Sequence, residues 1–151
     1  MMSILRDLYQ EVILDHNKNP RNFRAMDHAT VSVEGYNPLC GDHYTVYLKI
    51  EGETITDVSF QGAGCAISKA SASVMSQMLK GKTKEEAVKM FEGFHELVTG
   101  KHVGSNGQDK FGRLAAFAGV SEFPARVKCA SLAWHTMKAA LDGHIEKVTT
   151  E

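Results

Sequence analysis

Apolar residues recur at helical spacing in the first segment of the chain. Leu5, Leu8 and Val12 lie three and four residues apart, which predicts a helix over residues 3–15. The Asn-Pro-Arg-Asn sequence at residues 19–22 then ends the helical pattern, since proline and asparagine favour turns.

Segments that mix β-branched or other apolar residues with polar ones follow and predict three β-strands, over residues 30–36, 43–50 and 55–61. The second strand is the clearest, because its apolar side chains occupy every other position and so share one face. These positions are Tyr44, Val46, Leu48 and Ile50. The short Glu-Gly-Glu sequence at residues 51–53 predicts that the second and third strands form an antiparallel hairpin.

The second half of the chain has a helical pattern. A helix is predicted over residues 65–79, before Gly81, a residue type that favours helix C-termini. Thr83 and Glu86 have the spacing of a capping box, which predicts the start of a further helix that extends roughly to residue 98.

The last predicted helix follows a loop. Residues 100–112 are polar and contain several glycines, which predicts irregular structure. Pro124 suits the first turn of a helix that runs to about residue 142, with Gly143 after it. Strands followed by helices, rather than strands alternating with helices, predict an α+β fold.

Length and charge limit the classes of protein that the chain can represent. Its 151 residues predict a single domain over residues 1–151. The 17 basic and 18 acidic residues give a net charge of -1, so there is no electrostatic reason to expect nucleic acid or an anionic membrane as partner. No targeting segment and no apolar stretch of about 20 residues is visible, and we therefore expect a cytoplasmic location.

The three cysteines are the main candidates for chemistry. An odd number in a cytosolic chain argues against a disulfide framework, and it leaves buried thiols, a metal site or a reactive thiol. Cys40 lies two residues before Asp42 in a turn, and alternate residues of an extended chain share a face. Cys65 is predicted at a helix N-terminus, where the helix dipole favours the thiolate, the form that binds metals and acts as a nucleophile.

Cys129 lies within the last predicted helix, three residues after Arg126, so both side chains project from the same face. An arginine at this position could steady a nearby carboxylate or thiolate. Three thiolates and a carboxylate form a tetrahedral set that suits zinc, and a sulfur-rich set also suits iron–sulfur chemistry. Because the chain has no CxxC pair, the spacing by itself leaves open that these are three unrelated buried thiols.

Other polar and aromatic residues near the cysteines are predicted to be structural. His43 should face away from Asp42 and lie at the surface, because neighbouring residues of a strand point to opposite faces. His135 follows Cys129 by six residues and should face elsewhere round the helix. Trp134 is expected in the core.

Three sequences around the cysteines closely resemble the motifs of the IscU/SufU/NifU N-terminal family. They are Tyr-Asn-Pro-Leu-Cys-Gly-Asp at 36–42, Gly-Ala-Gly-Cys-Ala-Ile-Ser-Lys-Ala-Ser at 62–71 and Pro-Ala-Arg-Val-Lys-Cys at 124–129. The resemblance implies an α+β fold in which a small antiparallel sheet of about three strands packs against helices. It also implies a metal site at one exposed end, formed by Cys40, Asp42, Cys65 and Cys129.

Two features resemble the SufU branch of this family rather than the scaffold branch. Scaffold members carry a histidine directly before the third cysteine, where this chain has Lys128. They also have a shorter path between the second and third cysteines, whereas this chain has an additional stretch at residues 83–112. Arg126 beside the site is similar to the SufU branch as well.

The SufU resemblance implies a zinc-dependent sulfur acceptor, a sulfurtransferase-type protein that stimulates a cysteine desulfurase of the SufS type and supplies the downstream iron–sulfur assembly machinery. It makes Cys40 the catalytic residue: a histidine of the desulfurase replaces it on the zinc, and the freed thiolate attacks the partner's persulfide. Two alternatives stay open. One is a scaffold that assembles a [2Fe–2S] cluster, or holds iron, on the same cysteines, and the other is a zinc-stabilised interaction module.

Overall fold

The structure is a computed structural model, and it describes residues 2–38, 41–99, 117, 124–143 and 148–149. Within these residues the chain forms four helices and four strands. In chain order they are α1 (Met2–Lys18), β1 (Val31–Asn37), β2 (Asp42–Glu51), β3 (Thr54–Ala63), α2 (Ala66–Leu79), α3 (Lys84–Val98), α4 (Pro124–Leu141) and β4 (Val148–Thr149). The helices and strands predicted from the sequence are all present, with their bounds shifted by three residues or fewer. The predicted loop at 100–112 lies outside the described residues.

The four strands form one sheet with the order β3-β2-β1-β4. β2 pairs antiparallel with both β1 and β3, so that Val46 lies opposite Val33 on one side and Phe60 on the other. Gly52, with φ of 65°, occupies the predicted hairpin turn in a left-handed conformation that glycine adopts without steric cost. The two residues of β4 pair parallel with the end of β1 and form a fourth strand that the sequence pattern did not predict.

The core lies between the sheet and the helices, as the alternation along β2 predicts. Tyr44, Val46 and Leu48 are fully buried on the face that meets the helices. α4 packs on β1 and β2, α2 packs on β3, and α1 and α3 pack on α2 and α4 respectively. A side chain at Gly35 of β1 would collide with the Thr136 side chain of α4, so the absence of a Cβ allows this helix to approach the sheet closely.

The ends of α2 and α3 follow the predicted signals. Gly81, with φ of 89°, lies just beyond the last turn of α2. The Thr83 hydroxyl accepts a hydrogen bond from the Glu86 N–H at 3.1 Å, and the Glu86 carboxylate accepts one from the Thr83 N–H at 3.0 Å. This capping box satisfies two N–H groups that the helix leaves without partners. Farther along α3, Phe94 stacks on the buried Trp134 of α4 with ring centroids 4.7 Å apart.

The outer edge of β3 already has backbone partners in two loops. Ile55 exchanges two backbone hydrogen bonds with residues 81–82, each 2.8 Å long. Phe60 does the same with residues 22–24, at 3.0 and 3.1 Å. Loops therefore cover both ends of this edge, while β4 covers part of the opposite edge of the sheet. None of the helices in the described part of the chain is long and apolar enough to span a bilayer.

Candidate metal centre

Three of the four residues predicted to bind metal lie together at one end of the sheet. Asp42 is the first residue of β2, Cys65 immediately precedes α2, and Cys129 is inside α4. Their candidate ligand atoms, one carboxylate oxygen and two sulfurs, all lie within 4.8 Å of one another. Cys40, the fourth predicted ligand and the predicted nucleophile, lies outside the described residues. The position of the Cys40 side chain therefore stays a prediction.

Strand pairing fixes the position of Asp42. This residue lies opposite Asn37 where β1 and β2 pair, and the connection between the strands is closed by a hydrogen bond from the Gly41 N–H to the Asn37 carbonyl at 2.9 Å. Gly41 has φ of 73°, a left-handed conformation that glycine accommodates readily. The side chain of Asp42 is fully buried and faces the helices, whereas His43 faces solvent and lies 3.7 Å from Glu34. The predicted surface position of His43 is therefore confirmed.

The buried Asp42 carboxylate is held by two neutral donors. Its Oδ1 accepts a hydrogen bond from the Cys65 backbone N–H at 2.8 Å. Its Oδ2 accepts one from the Asn37 amide at 3.3 Å and lies 3.9 Å from the Cys65 sulfur. A carboxylate in the interior is costly unless its charge is compensated, and two thiols beside it would add negative charge once ionised. A cation between these three groups would neutralise that charge.

Cys65 is the N-cap of α2, close to the predicted position. Its backbone is extended, with φ of -71° and ψ of 169°, and its sulfur accepts a hydrogen bond from the Ser68 N–H at 3.4 Å. The Ser68 hydroxyl lies 3.6 Å from the same sulfur and 3.1 Å from the Tyr44 hydroxyl. Burial raises the pKa of Tyr44 far above its ordinary value of 10.0, and the nearby Asp42 raises it further, although the hydrogen bond with Ser68 partly opposes the shift. The phenol beside the site is therefore neutral at physiological pH.

Glycines between β3 and α2 make room for this arrangement. A Cβ at Gly64 would lie 2.5 Å from Asp42 Oδ1, 2.7 Å from the Ser68 hydroxyl and 2.8 Å from the Tyr44 hydroxyl. Gly62 has φ of 141°, and a Cβ there would collide with the backbone of β2. The Gly-Ala-Gly sequence before Cys65 thus allows the end of β3 to lie directly against the site.

Cys129 is buried within α4 and has 2% of its surface exposed. The Asn37 amide donates to its sulfur at 3.5 Å. Arg126 lies one turn earlier on the same helix and is exposed, and its predicted role beside the site stays a prediction. Trp134 is fully buried, as expected, and His135 lies partly buried against α3.

Three residues that contact the site were not predicted from the sequence: Asn37, Tyr44 and Ser68. A signal was available for two of them. Tyr44 shares the inward face of β2 with Asp42, two residues away, and Ser68 occupies the helix position whose N–H an N-cap side chain binds. Asn37 gave no such signal, because its contact with Cys129 joins residues that are distant in the chain.

The described donor set fits a single zinc ion. Zinc binds thiolate sulfur at about 2.3 Å and carboxylate oxygen at about 2.1 Å in tetrahedral geometry, which places a sulfur and an oxygen ligand about 3.6 Å apart. The 3.9 Å separation of the Cys65 sulfur and Asp42 Oδ2 is close to this value, and the three candidate ligand atoms all lie within 4.8 Å of one another. Asp42, Cys65 and Cys129 could therefore hold a metal ion, with one tetrahedral position left for a further ligand. A sulfur-rich set of this kind is also compatible with an iron–sulfur cluster.

The fold and the site define a class of small α+β proteins in which a sheet, a helix N-terminus and a helix interior bring two thiols and a carboxylate to one point. The protein-family model described as the NifU-like N terminal domain matches residues 8–130 of the sequence, and the protein belongs to that family. The family and the α+β fold expected from the three motifs are thereby confirmed.

Relatives with different functions match the chain over most of its length. It is 42% identical over 134 residues to the zinc-dependent sulfurtransferase SufU of Bacillus subtilis, and the match covers 89% of each chain. It is 39% identical over 140 residues to the iron–sulfur cluster assembly scaffold protein IscU of Streptococcus pyogenes, covering 93% of this chain and 86% of that protein. The protein is thus a SufU/IscU-type member of the family, whose relatives include both a sulfurtransferase and scaffolds.

Solved structures share the fold. FiSufU from Fervidobacterium islandicum AW-1 superposes with a TM-score of 0.81 at 38% identity, covering 90% of this chain and 98% of that one. The N-terminal part of a NifU-like protein from Brucella abortus gives a TM-score of 0.80 at 24% identity, covering 90% of this chain and 93% of its own.

Proposed function

We propose that the protein is a zinc-dependent acceptor of persulfide sulfur in iron–sulfur cluster assembly. In this proposal Cys40, Asp42, Cys65 and Cys129 form the zinc site, and a SufS-type cysteine desulfurase supplies the sulfur. The observation that carries the proposal is the convergence of Asp42, Cys65 and Cys129 within 4.8 Å at the end of the sheet. The 42% identity to a zinc-dependent sulfurtransferase supports the proposal, and Lys128 at the position before the third cysteine favours the transferase over the scaffold.

The nucleophile is assigned to Cys40 because the other two thiols are held in place. Cys129 is almost completely buried, and the rate of thiol exchange depends on access as well as on thiolate fraction. Cys65 is fixed at the N-cap by the Ser68 N–H and lies against Asp42. Cys40 belongs to the connection between β1 and β2, which can present a thiol to a docked partner while Cys65 and Cys129 keep their positions.

Sulfur transfer then proceeds by exchange at the sulfane sulfur. The Cys40 thiolate attacks the outer sulfur of the desulfurase persulfide, a new S–S bond forms, and the desulfurase cysteine leaves as a thiolate. Cys40 now carries the persulfide, and no external oxidant or reductant is required. Bound zinc supplies positive charge that keeps its ligand thiols deprotonated at neutral pH. Asp42, Cys65 and Cys129 hold their positions throughout, with Asp42 oriented by the Cys65 N–H.

Purified protein, cysteine and a SufS-type desulfurase test this proposal. We expect the wild-type chain to gain one sulfur atom in mass spectrometry and to raise the desulfurase rate, and Cys40→Ala to lose both effects. Full stimulation of the desulfurase by Cys40→Ala would refute the acceptor assignment. His43→Ala, a change at an exposed side chain next to the site, is the matched control and should behave like the wild type.

A scaffold that holds a [2Fe–2S] cluster is the second candidate, and the identity to IscU of Streptococcus pyogenes favours it. The two functions differ in the metal that the purified protein contains. Aerobic preparation should yield a colourless protein with about one zinc ion per chain for the sulfur acceptor, because such sites bind a single tetrahedral ion. Brown protein with iron and visible absorbance would instead support the scaffold.

A further inference from the structure

We infer that Asn37 is a positioning residue of the metal site, where its single amide group orients the Asp42 carboxylate and tunes the Cys129 thiolate. The inference rests on the proposed function only in taking this site to bind metal. The Asn37 Nδ2 atom lies 3.3 Å from Asp42 Oδ2 and 3.5 Å from the Cys129 sulfur. An asparagine amide has two N–H donors, so it can serve both acceptors at once.

The hydrogen bonds of Asn37 to Asp42 and Cys129 are shielded from solvent. Asn37 and Asp42 are fully buried, and Cys129 has only 2% of its surface exposed. Hydrogen bonds to charged acceptors in such surroundings are stronger than in water, and solvent cannot replace a donor that is removed. A hydrogen bond from N–H to a ligand sulfur also withdraws charge from the sulfur, which changes the bond that the sulfur makes to a metal.

The backbone of the same residue bonds to Gly41, the residue before β2. The Asn37 carbonyl accepts the Gly41 N–H at 2.9 Å, and Asn37 pairs with Asp42 across β1 and β2. One residue therefore contacts Gly41 through its carbonyl, and Asp42 at the start of β2 and Cys129 of α4 through its amide. Since α4 and the sheet are distant in the chain, this amide sets the spacing between a carboxylate ligand and a thiolate ligand.

The first test is metal affinity, measured by competition with a chromophoric chelator on wild type and Asn37→Leu, which keeps a similar size but has no donor. Partners behind metal ligands typically contribute about 10–100-fold to affinity, and we expect a loss of zinc affinity in that range. Ser76→Ala is the control. Ser76 is also fully buried and hydrogen-bonded, but it lies eleven residues after Cys65 on α2, about 16 Å along the helix axis. Its zinc affinity should match that of the wild type.

The second test is the absorption spectrum of the Co²⁺-substituted protein, which a purely structural role would leave unchanged. Loss of the N–H···S hydrogen bond makes the thiolate a better electron donor, so the thiolate-to-cobalt charge-transfer band should move to longer wavelength in Asn37→Leu. Ser76→Ala should keep the wild-type band. If Asn37→Leu does not fold by circular dichroism, Asn37→Ala provides the same comparison with a smaller side chain.

Each outcome separates this inference from the proposed function. Wild-type affinity and an unshifted cobalt band in a folded Asn37 variant would overturn the role of Asn37, even if the wild-type protein accepts sulfur. A wild-type protein that binds neither zinc nor cobalt would instead overturn the zinc site and the inference with it. A protein that binds metal with the expected Asn37 effects, but accepts no sulfur, would refute the sulfur acceptor and leave the role of Asn37 intact.

Discussion

Substitution of Gly64 by alanine tests the geometry of the site directly. The added Cβ would lie 2.5 Å from Asp42 Oδ1 and 2.8 Å from the Tyr44 hydroxyl, whereas ordinary contacts begin at 3.4 Å. The distance from the new Cβ must therefore increase by 0.9 Å (3.4 − 2.5) to Asp42 Oδ1 and by 0.6 Å (3.4 − 2.8) to the Tyr44 hydroxyl. Asp42 is as fully buried as Tyr44, but its carboxylate oxygens move when the group turns about the Cβ–Cγ bond, whereas the Tyr44 hydroxyl moves only with the whole ring.

The cost of this movement can be estimated from the contacts that it breaks. Rotation of the Asp42 carboxylate gives up the 2.8 Å hydrogen bond from the Cys65 N–H, and hydrogen bonds to charged groups contribute about 1.5–3 kcal/mol. Overpacking of a filled interior costs a further 1–3 kcal/mol or so, part of which is the same movement. We expect Gly64→Ala to lower the free energy of unfolding by about 2–4 kcal/mol and zinc affinity by at least about tenfold.

Urea denaturation of the metal-free protein and a chelator competition for zinc measure the two effects separately. Gly52→Ala is the matched control, because Gly52 has φ of 65° but a Cβ at this turn position would have no heavy atom within 4 Å. Gly52→Ala should lower the free energy of unfolding by about 1–2 kcal/mol, because alanine is strained in the left-handed conformation, and it should leave zinc affinity unchanged. A Gly64→Ala protein as stable as the wild type, with the same zinc affinity, would show that the close packing described around Asp42 is wrong.

Three further predictions concern the metal and pH. Asp42→Ala should release zinc to a chelator more readily than the wild type, and equal metal content at equal chelator would remove Asp42 from the ligand set. Chelation of the metal should lower the melting temperature, since an ion that binds only the folded chain stabilises it, and an unchanged melting curve would contradict a metal held by three elements of the fold. Burial, with a smaller effect of the nearby His95, lowers the pKa of His135 below its ordinary value of 6.5. Below pH 6.5 the unfolded chain therefore binds more protons at His135 than the folded chain does. The free energy of unfolding should keep its full value above pH 6.5 and fall as the pH drops below it. His135→Gln should flatten this decline in urea midpoints, and an identical pH profile would refute the assignment to His135.

Local signals were sufficient for most of the fold. The alternation along β2 fixed its buried face, and the Thr83 and Glu86 pair marked the start of α3, because both patterns arise within a few residues of the chain. β4 escaped prediction for the opposite reason. Its two residues carry no periodicity, and the strand exists only through its pairing with Gly35 and Tyr36, more than a hundred residues earlier.

The site was predictable only in part, and for a different physical reason. Asp42 lies at the start of a strand and Cys65 at a helix N-terminus, and local sequence patterns predict both positions. Their convergence with Cys129 depends on how α4 packs across the sheet. The spacing of the cysteines could not predict this packing. The resemblance of the three motifs to a known family predicted a common site. Asn37 was missed because its amide bonds to Cys129, which lies 92 residues away on a separate helix.

The covered edge of β3 bears on how the protein behaves in a crowded solution. An open strand edge invites a neighbouring chain to add its own strand, and continued addition leads to aggregates. Here Ile55 and Phe60 already bond to residues 81–82 and 22–24, so an approaching chain would have to displace bonds that the monomer makes for itself. At Ile55 and Phe60 the loops of the chain thus compete with any second copy for the backbone groups that would extend the sheet.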